Sequence, residues 1–249
     1  MSERIVILGA TSGIARALCH ALGKRGCRLV LTGRDSEELD KIAADCRVRY
    51  QTEVFVELFY ALEFTKHAAF VARCMEHVRG DIDGVILCYG YMTDQTKTQM
   101  DFTESQRTLD LNFTSPVSLL TLFANYFEQR RTGYIAVISS VAGDRGRQSN
   151  YTYGAAKAGL STYLQGLRNR LHRVNVHVLT IKPGPVDTPM TNGLIAQHSR
   201  LLASADRVAQ DIDRAIRKRV DVLYTPWFWR PIMGILRGIP EPIFKRLSL

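Results

Sequence analysis

The chain lacks any pair of cysteines at metal-binding or redox spacing. Its five cysteines, Cys19, Cys27, Cys46, Cys74 and Cys88, are scattered and odd in number. That pattern argues against a disulfide framework or a zinc site and suits reduced, mostly buried thiols in a cytoplasmic protein. Repeats and low-complexity stretches are also missing, and no signal peptide is expected ahead of the first apolar run at Ile5. No apolar run is long enough to span a bilayer, because the most apolar tail is interrupted by Arg230, Pro231 and Arg237. Acidic residues are the minority: 24 Asp and Glu stand against 33 Lys and Arg, a formal charge of +9. A basic excess can serve nucleic acid, a membrane surface or an anionic substrate. No nucleic-acid module is legible, and most of the excess is scattered as on solvated helix faces.

What is present is a serine, a tyrosine and a lysine in one stretch. Ile135 to Ile138 reads as a buried strand, with Ser139 and Ser140 at its end. The ends of parallel strands are where open α/β sheets place their chemistry. Tyr153 and Lys157 are four residues apart in an alanine-rich stretch, so on a helix they share a face. A nearby ammonium favours a phenolate and lowers its pKa. Together with a hydroxyl from Ser140, these groups could pass a proton to or from a carbonyl. The bland reading is chance proximity.

A second signal stands at the start of the chain. The apolar run Ile5 to Leu8 leads directly into Gly9, Thr11, Ser12, Gly13 and Ile14, followed by helical spacing of Ala17, Leu18 and Leu22. Strand, glycine turn and helix form a phosphate cradle, in which glycines let the backbone approach a pyrophosphate and the helix N-terminus donates. A second strand over Arg28 to Thr32 ends at Gly33 and Arg34. An arginine there accommodates a 2′-phosphate, whereas an acid binds a 2′-hydroxyl. Arg34 therefore favours NADP(H) over NAD(H), although the neighbouring Asp35 could reach a ribose instead. Short apolar strands alternate with amphipathic stretches, and 46% hydrophobic content over 249 residues supports a large core. The expected fold class is α/β, a single-domain Rossmann fold with a doubly wound parallel sheet and helices on both faces. The NAD(P)-binding catalytic part is placed at residues 1–225 and an aromatic, basic tail at 226–249.

With these motifs in order, the chain resembles the short-chain dehydrogenase/reductase family over essentially its whole length. Gly9 to Ile14 looks like the family's glycine motif, with Ala15 in place of the last glycine. Ser140, Tyr153 and Lys157 match its catalytic serine, tyrosine and lysine, and Asn112 its catalytic asparagine. The segment Pro183, Gly184, Pro185, Val186, Asp187, Thr188 matches its proline-glycine segment, whose threonine contacts the nicotinamide. The resemblance implies that Lys157 lowers the tyrosine pKa and binds the nicotinamide ribose, and that Asn112 helps place the lysine through a water. It also implies dimers or tetramers, built through the helix carrying Tyr153 and one over Ser115 to Gln129. There are departures. Where the family carries Asn-Asn-Ala-Gly, this chain reads Leu87, Cys88, Tyr89, Gly90, so only the glycine survives as a cofactor contact. No acid follows the third strand until Glu63, so no adenine contact is assigned there.

Three segments, 139–160, 176–190 and 239–249, are similar to the decaprenylphosphoryl 2-keto-pentose reductases, which reduce a keto sugar carried on a polyprenyl phosphate. The expected activity is reduction of a keto group with Tyr153 as proton donor, on a small-molecule or lipid-linked substrate. The alternatives are a reductase or dehydrogenase of soluble compounds, and a non-catalytic nucleotide-sensing protein. Pocket walls are expected at residues 91–100, 143–151 and 190–202, with Arg145 and Arg147 meeting a phosphate and Asn150 sugar hydroxyls. The stretch from Ala215 onward interleaves Trp227, Phe228, Trp229 and Phe244 with Arg230, Arg237, Lys245 and Arg246. That pattern fits a helix in a membrane interface, or else subunit packing or a lid.

Overall fold

A computed structural model describes residues 2–191, 199 and 201–247. Seven parallel strands form one sheet in the order β3-β2-β1-β4-β5-β6-β7. They are β1 (Arg4–Leu8), β2 (Arg28–Gly33), β3 (Val54–Leu58), β4 (Gly84–Leu87), β5 (Tyr134–Ile138), β6 (His177–Pro183) and β7 (Val222–Thr225). The helices between them are α1 (Gly13–Lys24), α2 (Ser36–Tyr50), α3 (His67–His77), α4 (Gln95–Met100), α5 (Phe102–Leu109), α6 (Ser115–Arg130), α7 (Tyr151–His172) and α8 (Ala205–Arg217). Two short helices, α9 (Trp229–Gly238) and α10 (Glu241–Phe244), follow the last strand.

The central strands are continuous apolar runs because both sheet faces are covered. Alternate residues of β1 go to opposite faces. Ile5 and Ile7 join Leu18, Leu39 and Ile212 from α1, α2 and α8. Val6 and Leu8 join Phe70, Phe123 and Leu164 from α3, α6 and α7. The strand order reverses between β1 and β4, and a crevice outside the carboxyl ends of strands opens at such a point. The loops carrying Gly9 and Gly90 leave the sheet there. All five cysteines are buried and unpaired.

Three expectations need correction. Asp35, expected as an alternative ribose contact, is engaged as the cap of α2, its Oδ1 accepting from Glu38 N at 3.0 Å. The stretch after Ala215 is not one interfacial helix, because Val222–Thr225 is drawn into the sheet beside β6. Nor do both tail tryptophans behave alike. Trp229 is buried with Val141 and Met233 in a third apolar cluster, while Trp227 is 72% exposed.

Candidate active site

Strand β5 alternates at its end, and the two serines part company. Ser139 is buried and bonds the Lys157 carbonyl at 3.0 Å and Ser161 Oγ at 2.8 Å, which ties the strand to α7. Ser140 starts a single 3-10 turn, Val141–Gly143, and its hydroxyl accepts from Ala142 N at 3.1 Å. That turn lies directly on the backbone of α7. A methyl group on Gly143 would lie 2.7 Å from Ala158 N and from the Lys157 carbonyl carbon, and one on Gly154 would lie 2.9 Å from the Ala142 carbonyl oxygen. The sequence signals this approach only at Gly154, a glycine inside a helical stretch.

This approach brings Ser140, Tyr153 and Lys157 together. Ser140 stands beside the Tyr153 phenol, close enough to offset part of the effect of its burial. Lys157 is 2% exposed, its Nζ donates to the Ile138 carbonyl at 3.1 Å, and it lies 5.7 Å from the centre of the Tyr153 ring. The charge balance differs from the sequence expectation. Burial raises the Tyr153 phenol to about 12, and Ser140 only partly opposes it. Burial lowers Lys157 to about 8. Desolvation disfavours the charged form of each.

Asn112 lies fully buried in a π-helical turn, Asp110–Thr114, between α5 and α6. Its Nδ2 donates to Tyr91 O at 2.6 Å and Thr108 O at 2.8 Å, and its Oδ1 accepts from Tyr91 N at 3.2 Å. The side chain thus clamps the loop after β4 to the π turn. Gly90 stands at this junction, where a methyl group would lie 2.9 Å from Asn112 Oδ1 and 3.5 Å from Lys157 Nζ. Tyr89, at the alanine position of the Asn-Asn-Ala-Gly motif, covers Gly9 with its Cβ and bonds Ser115 Oγ at 2.8 Å.

The glycine turn takes the expected form. Gly9 has φ +82, and a methyl group there would lie 2.6 Å from Tyr89 Cβ. Ser12 is committed as the cap of α1, accepting from Ala15 N, whereas the Thr11 hydroxyl makes no hydrogen bond among the described residues. Ile14 is half-buried and packs against the core. Thr188 reaches over from the proline-glycine segment, its methyl 2.7 Å from where a Gly13 Cβ would stand. Pro183 ends β6 and Val186 is buried. The open face of Gly184 is filled by the Trp229 indole, so that glycine is required by the tail. Arg34 is exposed at the end of β2, with no ion pair among the described residues.

Of the expected pocket walls, residues 192–198 and 200 lie outside the described residues. In the first wall, buried Gln95 accepts from Thr152 N at 3.0 Å, a cap on α7 that the sequence did not reveal. In the second, Arg145 pairs with Glu241 at 2.7 Å. Among the described residues no group of three or more His, Cys, Asp or Glu is placed to hold a metal, and no helix is long and apolar enough to cross a membrane.

A family model described as short chain dehydrogenase matches residues 3–199. An uncharacterized oxidoreductase of Streptomyces coelicolor is 32% identical over 98% of this chain and 95% of its own length. One from Mycobacterium tuberculosis is 33% identical over 98% and 96%. Among solved structures, a short-chain dehydrogenase from Sphingobium yanoikuyae in complex with NADPH has a TM-score of 0.82 at 25% identity, covering 96% of this chain and 97% of that one. A Burkholderia cenocepacia short chain dehydrogenase in complex with NADP reaches 0.84 at 19% identity, covering 100% and 98%, a likeness of fold.

The buried lysine yields a pH prediction. Between about pH 8 and 10.5 the unfolded chain binds the Lys157 proton and the folded chain does not, so stability rises with pH across that window. Below it, the fold holds a buried charge at a cost of roughly 3 kcal/mol, from about 1.4 kcal/mol per pKa unit. Lys157→Met should therefore stabilise the protein alone at pH 7, less the lost Ile138 hydrogen bond of about 1 kcal/mol. Urea unfolding of both proteins should show this advantage vanish as pH approaches 10.5; a pH-independent difference would refute burial as the cause.

Proposed function

The chain belongs to the short chain dehydrogenase family, and from that premise we propose that it is an NADP(H)-dependent oxidoreductase reducing a ketone to an alcohol. The observation that carries this reading is the union of Ser140, Tyr153 and Lys157 beside the glycine turn. The Ser140 hydroxyl holds the carbonyl oxygen. When bound, the nicotinamide supplies the hydride that reaches the carbonyl carbon. Tyr153 delivers its proton to the oxygen, and a phenol raised to about 12 is fully protonated for that task at neutral pH. Lys157, charged below about pH 8, steadies the phenolate left behind. Asn112 positions the Gly90 loop beside Lys157. Solvent returns the proton to Tyr153.

The nucleotide fits the residues present. Gly9 takes the positive φ that the tight turn after β1 needs, the Thr11 hydroxyl has no hydrogen-bond partner among the described residues, and the two candidate side chains for the 2′ position differ in their engagement. Asp35 is committed to its helix cap, while Arg34 is exposed and unpaired among the described residues. An available cation and a committed acid favour a 2′-phosphate, and the NADPH-bound relative supports the same preference.

We carry the substrate further, to a keto sugar linked to a polyprenyl phosphate, on the three segments of resemblance. The tail supports it: Trp227 is 72%, Ile235 70% and Ile243 55% exposed, among the exposed cations Arg230, Arg237, Lys245 and Arg246. Such a surface suits peripheral contact with an anionic membrane. The protein acts as a homodimer or homotetramer through α6 and α7. A reductase of soluble ketones, or a dehydrogenase running in the oxidising direction, would share every catalytic residue.

Pure protein should oxidise NADPH faster than NADH with a polyprenyl-phosphate 2-keto-pentose, tested beside soluble ketones. Tyr153→Phe should lower kcat roughly a hundred- to ten-thousand-fold while NADPH binding persists; retained turnover would end the assignment. Arg34→Ala should raise the KM for NADPH about ten- to a hundred-fold, as loss of a charged contact does, with NADH little changed. Equal effects on both would remove Arg34 from the 2′-phosphate. Vesicles containing phosphatidylglycerol should float with the protein and lose the Trp227→Ser/Ile235→Ser variant, whereas no flotation of the parent protein excludes membrane contact.

A further inference from the structure

The turn over residues 144–150 joins the Ser140 segment to the helix that carries Tyr153. It holds three charged side chains, and two are neutralised within the chain. Asp144 is buried, with one oxygen on Lys182 Nζ and the other accepting from Tyr224 Oη at 2.8 Å. Arg145 donates to Glu241 at 2.7 Å and to the Arg237 carbonyl at 3.2 Å, and lies 4.1 Å over the Phe244 ring. Arg147 differs. Its Nε is closed off from solvent without a hydrogen-bond partner, and no carboxylate among the described residues pairs with it. Burial accordingly holds it below the usual arginine pKa. A half-buried guanidinium with its Nε enclosed and no counter-charge among the described residues is a ready partner for an oxyanion, which its planar fork can grip in two places.

The position of this cation is set by backbone bonds. The Arg147 carbonyl accepts from Asn150 N at 3.1 Å, and the Asn150 carbonyl accepts from Gly154 N at 2.8 Å. Arg147 is thereby stitched to the first turn of α7, the turn containing Tyr153. That end of a 22-residue helix carries the positive pole of its dipole. Asn150, at the cap position, makes no capping bond with its side chain, and its Oδ1 is also buried without a partner.

We infer that Arg147 forms an anion subsite of the active site, receiving a phosphate or carboxylate carried by the ketone substrate, with Asn150 Oδ1 accepting from an adjacent hydroxyl. The inference rests on the ketone-reductase reading and gives that site a substrate class. Arg147 selects substrates without entering the proton transfer.

Two measurements separate the inference from the reading beneath it. The first is turnover of matched ketones, dihydroxyacetone against its phosphate and ethyl acetoacetate against acetoacetate. The parent protein should prefer an anionic member, and Arg147→Gln should raise its KM about ten- to a hundred-fold with the neutral ketone unchanged. Arg147→Lys should keep part of the preference, since it retains the charge without the fork. The second is calorimetric titration of the NADP+-saturated protein with glycerol 1-phosphate and with acetate. Binding lost in Arg147→Gln supports the subsite, even if no ketone is reduced and the reductase reading falls. The anion that loses binding identifies phosphate or carboxylate. Equal binding by parent and Arg147→Gln, or no binding of either anion, overturns the inference whatever the turnover.

Discussion

The site depends on one close contact, backbone against backbone, between α7 and the turn that follows β5. Two glycines make it, Gly143 on the turn and Gly154 on the helix, each facing atoms that a side chain would strike. Helix and turn meet without intervening side chains, and the geometry of the catalytic groups follows. Ser139 is pulled into the helix backbone and Ser161, which locks the strand to the helix. Ser140, one residue on and facing the other way, is left beside Tyr153. A larger residue at either glycine would separate the serine from the tyrosine before it disturbed the sheet.

The same device recurs around the strand-order reversal. Gly9 meets Tyr89, Gly13 meets the Thr188 methyl, and Gly90 meets Asn112 and Lys157. Each contact draws a loop from a different strand toward one crevice. Packing at this density leaves the Tyr153 phenol and the Lys157 ammonium poorly solvated, so both are pushed toward their neutral forms. A phenol that resists ionisation is a poor base at rest and a competent proton donor to an oxygen that gains negative charge.

The legible parts were those written in short-range patterns. Strands β1, β2 and β5 showed as continuous apolar runs, α6 as a helix over nearly its full length, and the glycine turn and the Tyr153-Lys157 pair as local spacings. The illegible parts rest on partners distant in the chain. Arg145 and Arg147 are two residues apart and look alike, yet one is held by groups 92 and 96 residues away and the other is not. Asp35 read as a ribose ligand because the cap it makes depends on where α2 begins. The π turn at Asn112 leaves no trace in hydrophobic spacing, since it shifts the helix by a single residue. Trp227 and Trp229 are separated by one residue, and only the depression at Gly184 decides which is buried.

That depression explains why an aromatic, basic tail belongs to the architecture of the site. Trp229 sits on Gly184, at the carboxyl end of β6, and packs with Val141, in the turn after β5. These two segments bracket the catalytic groups, and one indole spans both. Farther along, Glu241 and Phe244 hold Arg145, while Asp144 beside it is fixed by Lys182 on β6 and Tyr224 on β7. The tail and the last two strands together set the shape of the turn from Asp144 to Asn150, the wall nearest Tyr153. Breaking one member of the buried Asp144-Lys182 pair would leave a charge without its partner, at a cost of about 3–5 kcal/mol, and would release this wall first. Anything that displaces α9 or α10 acts on the same wall through Arg145. The exposed face of the tail and the mouth of the site are thus mechanically continuous, joined through Arg145, Trp229 and Met233.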